Sequence, residues 1–402
     1  MPGFKGRPVA LVTHTADGGV GSVVRFLARI LEESGLYEPE IITVATSVRD
    51  SASVRLLNPG TWLRGPRIVP GEFGSLPCQH VGALFSELEF LRYRPRRILN
   101  GLLSRYDLIQ VVAGAPAWAG VALAVDRPVC LFAATTAAQE RASPVRCSVG
   151  WRKLWLQAMT KITSRIERSV VPGVDCIFAE SDYTYGLLAP WARKGRMVIA
   201  PPGVDTSLFV PAEAFPSGGH IIAVGRFADP RKNVGLLLRA YRQVRDSFPL
   251  APRLVLAGQT PLRPADAALL GELGLTSHVE VRVNVSPEAL RDLYRAASLF
   301  VLSSDEEGLG IVILEAMACG LPVVSTDCGG PRTAVVPGET GFLTPVGDVQ
   351  ALASVMQTLL ANPQDCQRMG QAGRKLVEKR FSMIAAGQIY LDEYEVLLSG
   401  RG

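Results

Sequence analysis

At 402 residues the chain is too long for a single ordinary hydrophobic core, so two domains of roughly 200 residues each are expected. A composition of 48% hydrophobic and 20% charged residues excludes disordered and fibrous classes and fits a folded soluble protein. The net charge of +5 suits anionic ligands but, without a nucleic-acid motif beside it, speaks against a DNA or RNA role.

The opening MPGFKGRPVALVTH passes from a short basic lead into a predicted strand at 9–13, with too brief an apolar run for a signal peptide. A glycine-bearing loop follows at 14–22, from His14 through Asp17, Gly18, Gly19 and Gly21 to Ser22, and then an amphipathic helix at 23–33. Such a loop can face a ligand, but tight turns also use glycine for positive φ without binding anything. Further strands are predicted at 41–45, 108–112, 129–133 and 176–179 with helical segments between them, an alternation that implies a parallel sheet. Residues 47–82 are rich in Gly, Pro and Ser with poor periodicity, and irregular loops are expected there. The uncharged run 108–125 approaches the length of a membrane span, yet Gln110, Pro116 and its many Ala and Gly residues make it strand, loop and helix.

Two stretches of this half are basic. One gathers Arg92, Arg94, Arg96, Arg97 and Arg105, while residues 141–168 set Arg141, Arg146, Arg152, Lys153, Lys161, Arg165 and Arg168 against the lone acid Glu167. In the second stretch Trp151, Leu154, Trp155, Ala158, Ile162 and Ile166 recur at helical spacing. That stripe either packs in the core with the cations solvated, or lies on an anionic membrane as a basic helix with a Trp-bearing face. The seven cysteines form no C-x-x-C pair and do not cluster with the four histidines, which argues against a zinc site and for the reduced thiols of a cytoplasm.

The Pro- and Gly-rich segment 200–219 breaks the periodicity and is the best domain boundary. Beyond it a strand at 220–224 leads through Gly225, Arg226 and Phe227 to Asp229-Pro230-Arg231-Lys232-Asn233 and a helix at 234–244, for which Asn233 is a good cap. Arg226 and Lys232 are placed either to neutralise an anion at the sheet edge or to stand as ordinary surface cations. Strands are predicted again at 254–257, 279–283, 300–302 and 322–325, and a helix at 383–398.

Residues 300–330, FVLSSDEEGLGIVILEAMACGLPVVSTDCGG, read as strand, glycine turn, helix and second strand, a parallel crossover with its turn at the sheet's carboxyl edge. Gly308 and Gly310 let the backbone turn closely, and the helix starting near Gly310 aims free N–H groups at the turn. Glu307 lies in the turn, and Glu315 about two helical turns further on in an almost wholly apolar helix. A carboxylate in that setting needs a cation or a cluster of hydroxyls, and a ribose diol would serve. Otherwise Glu307 is a solvated turn residue and Glu315 a core ion pair.

Glu307 and Glu315, separated by seven residues inside EGLGIVILE and followed by AMACGLPVVST, resemble the E-x7-E signature of the retaining glycosyltransferases of family GT4. The resemblance implies an α/β protein of the GT-B fold, two Rossmann-like domains with parallel sheets facing across a deep cleft. Residues 1–205 would form an acceptor-binding domain, with a C-terminal helix at about 383–402 crossing back onto it, and residues 206–382 a nucleotide-sugar donor-binding domain. In the family the second glutamate, here Glu315, holds the nucleotide ribose and the first, here Glu307, contacts the donor sugar, in a loop that includes Gly308, Leu309 and Gly310. VGRFADPRKN is similar to the family's VGR…KN motif, which makes Arg226 and Lys232 the diphosphate-binding cations and, with Glu307, the catalytic set. Gly19 matches the glycine whose backbone approaches the donor diphosphate. GGPRTAVVPGETGFLTP resembles the family's GGxPE loop, with Thr333 where Glu is usual. Many members end the strand matching residues 128–132 in a histidine beside the donor sugar. Here Ala134 stands at or next to that position, and Thr135 or Thr136 becomes the candidate contact.

The implied reaction moves a sugar, with retention of configuration, from a nucleoside-diphosphate sugar to a hydroxyl of a glycan, glycolipid or small molecule. No metal cofactor is expected, because fixed cations replace the divalent ion of other transferases. A sugar-nucleotide epimerase or phosphorylase on the same scaffold, or a non-catalytic nucleotide-sugar-binding partner protein, are the alternatives. Because the excess cations lie in the first half, the acceptor is expected to be membrane-associated or anionic and the protein cytoplasmic, with peripheral contact to an anionic inner membrane face.

Overall fold

The computed structural model describes residues 6–192 and 196–400; the start of the basic lead and the last two residues of the expected C-terminal helix lie outside the described residues. The chain divides into two units, Met1–Pro202 with Ala386–Gly402, and Gly203–Ala385.

The first unit carries β1 (Arg7–Thr13), β2 (Tyr37–Val44), β3 (Ile68–Phe73), β4 (Leu76–Val81), β5 (Leu108–Ala113), β6 (Val129–Ala133), β7 (Cys176–Ala179) and β8 (Arg196–Ile199). They form one sheet in the order β3-β4-β2-β1-β5-β6-β7-β8, parallel except that β3 runs antiparallel to β4. Every residue of β5, β6 and β7 is buried, as expected of parallel strands covered on both faces, and this explains their apolar runs, which only Gln110 of β5 interrupts.

Two expectations are corrected here. Residues 47–82 are not wholly irregular, since they contain the short 3-10 helix Pro59–Arg64 and the hairpin β3–β4. Gly74 makes the hairpin turn at φ 63, and Phe73 and Val81 are buried, while Pro70 is tolerated because β3 is the edge strand. Secondly, the first helix spans Gly18–Ser34, so Gly19 lies in its first turn rather than in a loop. The chain turns back tightly there, because a Cβ on Gly21 would fall 1.9 Å from the Ala16 carbonyl oxygen.

The C-terminal helix Met383–Ser399 supplies, from Ala386 onward, part of the first unit's packing. Its Gly387 sits against Ile30, Tyr390 donates to the Ala200 carbonyl at 2.7 Å, and Tyr394 donates to Gln110 Oε1 at 2.8 Å.

The second unit holds β9 (His220–Arg226), β10 (Leu254–Thr260), β11 (Val279–Val283), β12 (Ala297–Leu302), β13 (Val323–Thr326) and β14 (Gly341–Thr344). Its sheet runs β11-β10-β9-β12-β13-β14, all parallel. The helix Val234–Ser247 buries Leu237, Leu238, Tyr241 and Val244 against it. In each sheet the strand order reverses beside the first strand, between β1 and β5 in one and between β9 and β12 in the other. The loops leaving those neighbours run to opposite sides, which opens a crevice at the carboxyl edge where open α/β sheets bind ligands. Among the described residues no helix is long and apolar enough to cross a membrane.

Candidate functional site

The loops after β9 and β12 meet at the second sheet's switch point. Arg226 ends β9, and its side chain is 45% exposed with Nη2 3.8 Å from Asp229 Oδ2. The chain then makes the 3-10 turn Pro230–Lys232 and passes through Asn233 at φ 42, ψ 53. The Asn233 Oδ1 accepts the Leu236 N–H at 3.2 Å, the expected cap, while its Nδ2 donates to Asp305 Oδ1 at 2.7 Å and ties the two loops together. Arg231 braces the same junction by donating to Asp229 at 2.7 Å and to Glu306 at 2.9 Å. The neighbouring cations Arg231 and Lys232 therefore differ, the first being committed to framework carboxylates.

Lys232 Nζ lies 2.5 Å from Glu307 Oε1, which also accepts from Ser304 Oγ at 2.6 Å. Both side chains are largely enclosed, at 15% and 12% exposure. Burial acts to raise the Glu307 carboxyl, but the charge and hydrogen bond of Lys232, with Ser304, outweigh it and hold the group below its ordinary range. The Glu307 carbonyl accepts the Gly330 N–H at 3.0 Å, and a Cβ on Gly330 would fall 2.0 Å from the Gly308 carbonyl oxygen. Only glycine lets the 329–330 backbone lie against this turn. Thr333, the last residue of the 3-10 turn Gly330–Thr333, is buried with no partner for its hydroxyl among the described residues.

Leu309 is buried as an anchor, and Gly310 at φ 85 caps the helix Ile311–Ala318, consistent with a position that demands a left-handed backbone. Glu315 projects from that helix and accepts from the Tyr294 hydroxyl at 3.0 Å. Burial pushes its carboxyl up to about 7, and the Tyr294 bond offsets only part of this. The cation or hydroxyl cluster expected for Glu315 thus reduces, among the described residues, to the Tyr294 hydroxyl. Tyr294 and Ser304 were missed by sequence reasoning: a tyrosine 21 residues upstream carries no local signal, and serines near a turn are common.

In the first unit Gly19 is exposed in the first turn of Gly18–Ser34. Thr135 and Thr136 are 5% and 3% exposed, and Thr136 Oγ1 accepts the Gln139 N–H at 3.4 Å as the cap of the helix Ala137–Arg146. The loop before them is tied down by Ala134 N–H and Thr135 N–H, which donate to the Gly114 carbonyl at 3.0 and 2.9 Å.

The basic stretches divide. Arg96 is buried, donating to the carbonyls of Gly82 and Arg92, and Arg141 pairs with Glu89, so neither is a free surface cation. The helix Gly150–Val170 packs Ile166 against the core but leaves Trp151, Leu154 and Trp155 at 79%, 69% and 50% exposure. The stripe is therefore core at one end and solvent-facing at the other. No group of three or more His, Cys, Asp or Glu among the described residues is placed to hold a metal ion.

Comparison with known proteins matches residues 17–208 to the family described as Glycosyltransferase Family 4 and residues 211–376 to Glycosyl transferases group 1. A D-inositol 3-phosphate glycosyltransferase of Streptosporangium roseum is 30% identical over 376 residues, covering 86% of this chain and 81% of the relative. A GDP-mannose-dependent alpha-(1-6)-phosphatidylinositol monomannoside mannosyltransferase of Mycolicibacterium smegmatis is 30% identical over 244 residues, covering 56% of this chain and 62% of the relative. Three curated relatives, that mannosyltransferase among them, are matched over 44 to 64% of their own length. The solved structure of sucrose-phosphate synthase from Thermosynechococcus elongatus shares the fold with a TM-score of 0.76 at 23% identity, covering 98% of this chain and all of that one. The chain belongs to glycosyltransferase family 4 and has the GT-B fold, built from two Rossmann-like α/β domains.

Proposed function

We propose that the protein transfers a sugar, with retention of anomeric configuration, from a nucleoside-diphosphate sugar to an acceptor hydroxyl. The observation that carries this reading is the Lys232–Glu307 pair at the switch point of the second sheet, with Arg226 exposed at the end of β9 and Glu315 on the following helix. A diphosphate at this edge meets Arg226, Lys232 and the N–H groups that open the helix Ile311–Ala318, beside Gly308, Leu309 and Gly310. As Lys232 turns to the phosphate, Glu307 is released to accept hydroxyls of the sugar, and Glu315 takes the ribose diol. The glycosidic C–O bond breaks with its electron pair going to the diphosphate, whose growing charge the two cations stabilise. The acceptor oxygen attacks on the same face, and its proton passes to a phosphate oxygen of the leaving group. Fixed cations thus do the work of a divalent metal. Gly19, exposed in the first turn of the helix Gly18–Ser34, is the first unit's proposed backbone contact for a diphosphate.

The acceptor belongs to the first unit and lies at, or comes from, an anionic membrane. Support comes from the exposed Trp151, Leu154 and Trp155 interleaved with exposed Arg152 and Lys153, an apolar and cationic face suited to anionic headgroups. The phosphatidylinositol mannoside named for one relative is an acceptor of that class.

The test is a panel of nucleotide sugars scored first by thermal stabilisation and then by product mass with candidate acceptors. Stabilisation by one donor with a product heavier by one sugar is expected. Donor binding without product would favour a binding partner protein, and a changed sugar nucleotide without transfer would favour an epimerase.

A further inference from the structure

The first sheet has its own switch point, and it is furnished. His14 is the first residue after β1, and Trp118 lies in the 3-10 helix Pro116–Val121 that follows β5. β1 and β5 are hydrogen-bonded neighbours from Val9↔Leu108 to Thr13↔Val112, yet the chain leaves them toward opposite ends of the sheet. Across the divergence the His14 imidazole lies flat on the Trp118 indole, with ring centroids 4.5 Å apart and planes within 7°. Trp118 is in turn held edge-on by Tyr93 at 4.9 Å, so the platform under His14 is rigid.

This histidine has no hydrogen-bond partner for either ring nitrogen among the described residues, and Nδ1 is sealed from water while the residue as a whole remains partly accessible. Burial drives the imidazole pKa down to about 4, so the ring is neutral at physiological pH and brings one N–H donor and one lone-pair acceptor. A neutral ring held flat, with its polar edge unmet by the protein, is costly as packing alone: Phe would stack on Trp118 as well without an unpaired nitrogen. The residues expected from sequence to meet a sugar in this unit are less available, since Thr135 and Thr136 are both buried and Thr136 caps a helix. The Thr135 N–H is bound to the carbonyl of Gly114, the residue directly after β5, so that loop closes the same edge.

We infer that His14, held on Trp118 at the switch point of the first sheet, is a substrate-binding residue whose imidazole hydrogen-bonds a sugar hydroxyl. This rests on the glycosyl-transfer reading and adds to it a contact from the first unit. The hydroxyl belongs to the donor sugar or to a sugar-like acceptor; the chemistry is shared, and kinetics separate the sources.

The experiment compares wild type with His14→Phe, which keeps the stack and removes both nitrogens, and with His14→Gln, which restores a donor and an acceptor without the ring. Melting temperature is recorded for each, and KM for donor and acceptor is measured with the donor selected by the panel above. The expected result is that His14→Phe, folded like wild type, loses about tenfold in kcat/KM, and that His14→Gln regains part of it. A rise confined to the donor KM assigns the hydroxyl to the donor, and one confined to the acceptor KM assigns it to the acceptor. Binding of the bare nucleoside diphosphate stays unchanged in either case. If His14→Phe is within about twofold of wild type in every parameter, the assignment is overturned while the transferase reading stands. A wild type that yields no glycosylated product from any donor sinks the transferase reading and this inference with it. Should His14→Phe fail to fold, His14→Gln and His14→Ala decide together: kinetics that are the same in the two variants overturn the inference, and a loss in His14→Ala that His14→Gln partly restores supports it.

Discussion

Lys232 Nζ and Glu307 Oε1 lie 2.5 Å apart, so the two residues assigned to opposite halves of a sugar nucleotide are each other's partner in the folded chain. The pair stores the site in a neutral form. Removing one member leaves the other as an unmatched charge in a largely enclosed place, and this costs more than removing both. Lys232→Met is expected to lower stability by about 3 kcal/mol, with much of that regained in Lys232→Met/Glu307→Gln, as read by urea unfolding. Turnover of Lys232→Met falls by roughly 10²–10³ because the leaving diphosphate loses a fixed charge. Additive stability losses in the double variant would show that the pair is not coupled.

Glu315 and Glu307 separate nucleotide from sugar. Glu315→Ala is expected to weaken binding of the bare nucleoside diphosphate by roughly 1.5–3 kcal/mol, whereas Glu307→Ala leaves that binding nearly intact and impairs use of the sugar donor. Calorimetry with the bare nucleotide checks this, and equal effects of the two changes would refute the assignment.

The Glu315 carboxyl also sets a pH dependence. Its folded value of about 7 stands above the ordinary 4.5, so between those values the unfolded chain releases a proton that the native chain keeps. Its contribution to stability is intact below about pH 4.5 and is lost as pH rises through 7. Unfolding curves of Glu315→Gln should therefore show a flatter stability profile over that window than wild type, and parallel profiles would contradict the burial argument.

Turnover is expected to survive chelation. Arg226 and Lys232 already stand at the edge where a diphosphate leaves, so EDTA should change the rate by less than about twofold. Complete loss that magnesium restores would disprove this.

Anionic vesicles should retain the protein at low salt and release it at high salt, because the attraction runs through exposed cations and is screened within about a Debye length. Trp151→Ser/Trp155→Ser should lower retention several-fold with the melting temperature unchanged, both rings being at least half exposed. Retention that is independent of salt and of these changes would place the contact elsewhere.

Much of this protein was legible in its sequence for a physical reason. Buried parallel strands are continuous apolar runs, so β6 and β7 coincide with their predicted spans, while the edge strand β11 coincides through its alternation of valines with charged residues, and glycines at 310 and 330 mark places where the backbone must turn or touch. The spacing of Glu307 and Glu315 is local to one turn and helix, and so it survives in the sequence. Partnership is not local. That Lys232 meets Glu307 while Arg231 next to it serves Glu306 and Asp229 depends on two loops brought together by neighbouring strands 75 residues apart in the chain. The hairpin β3–β4 was hidden because an edge strand tolerates Pro and Gly. The helical stripe from Trp151 to Ile166 has one periodicity but two fates, since only packing decides that Ile166 meets the core and Trp151 meets solvent. His14 on Trp118 shows the same division: nothing links positions 14 and 118 until β1 and β5 pair and set their loops across one crevice.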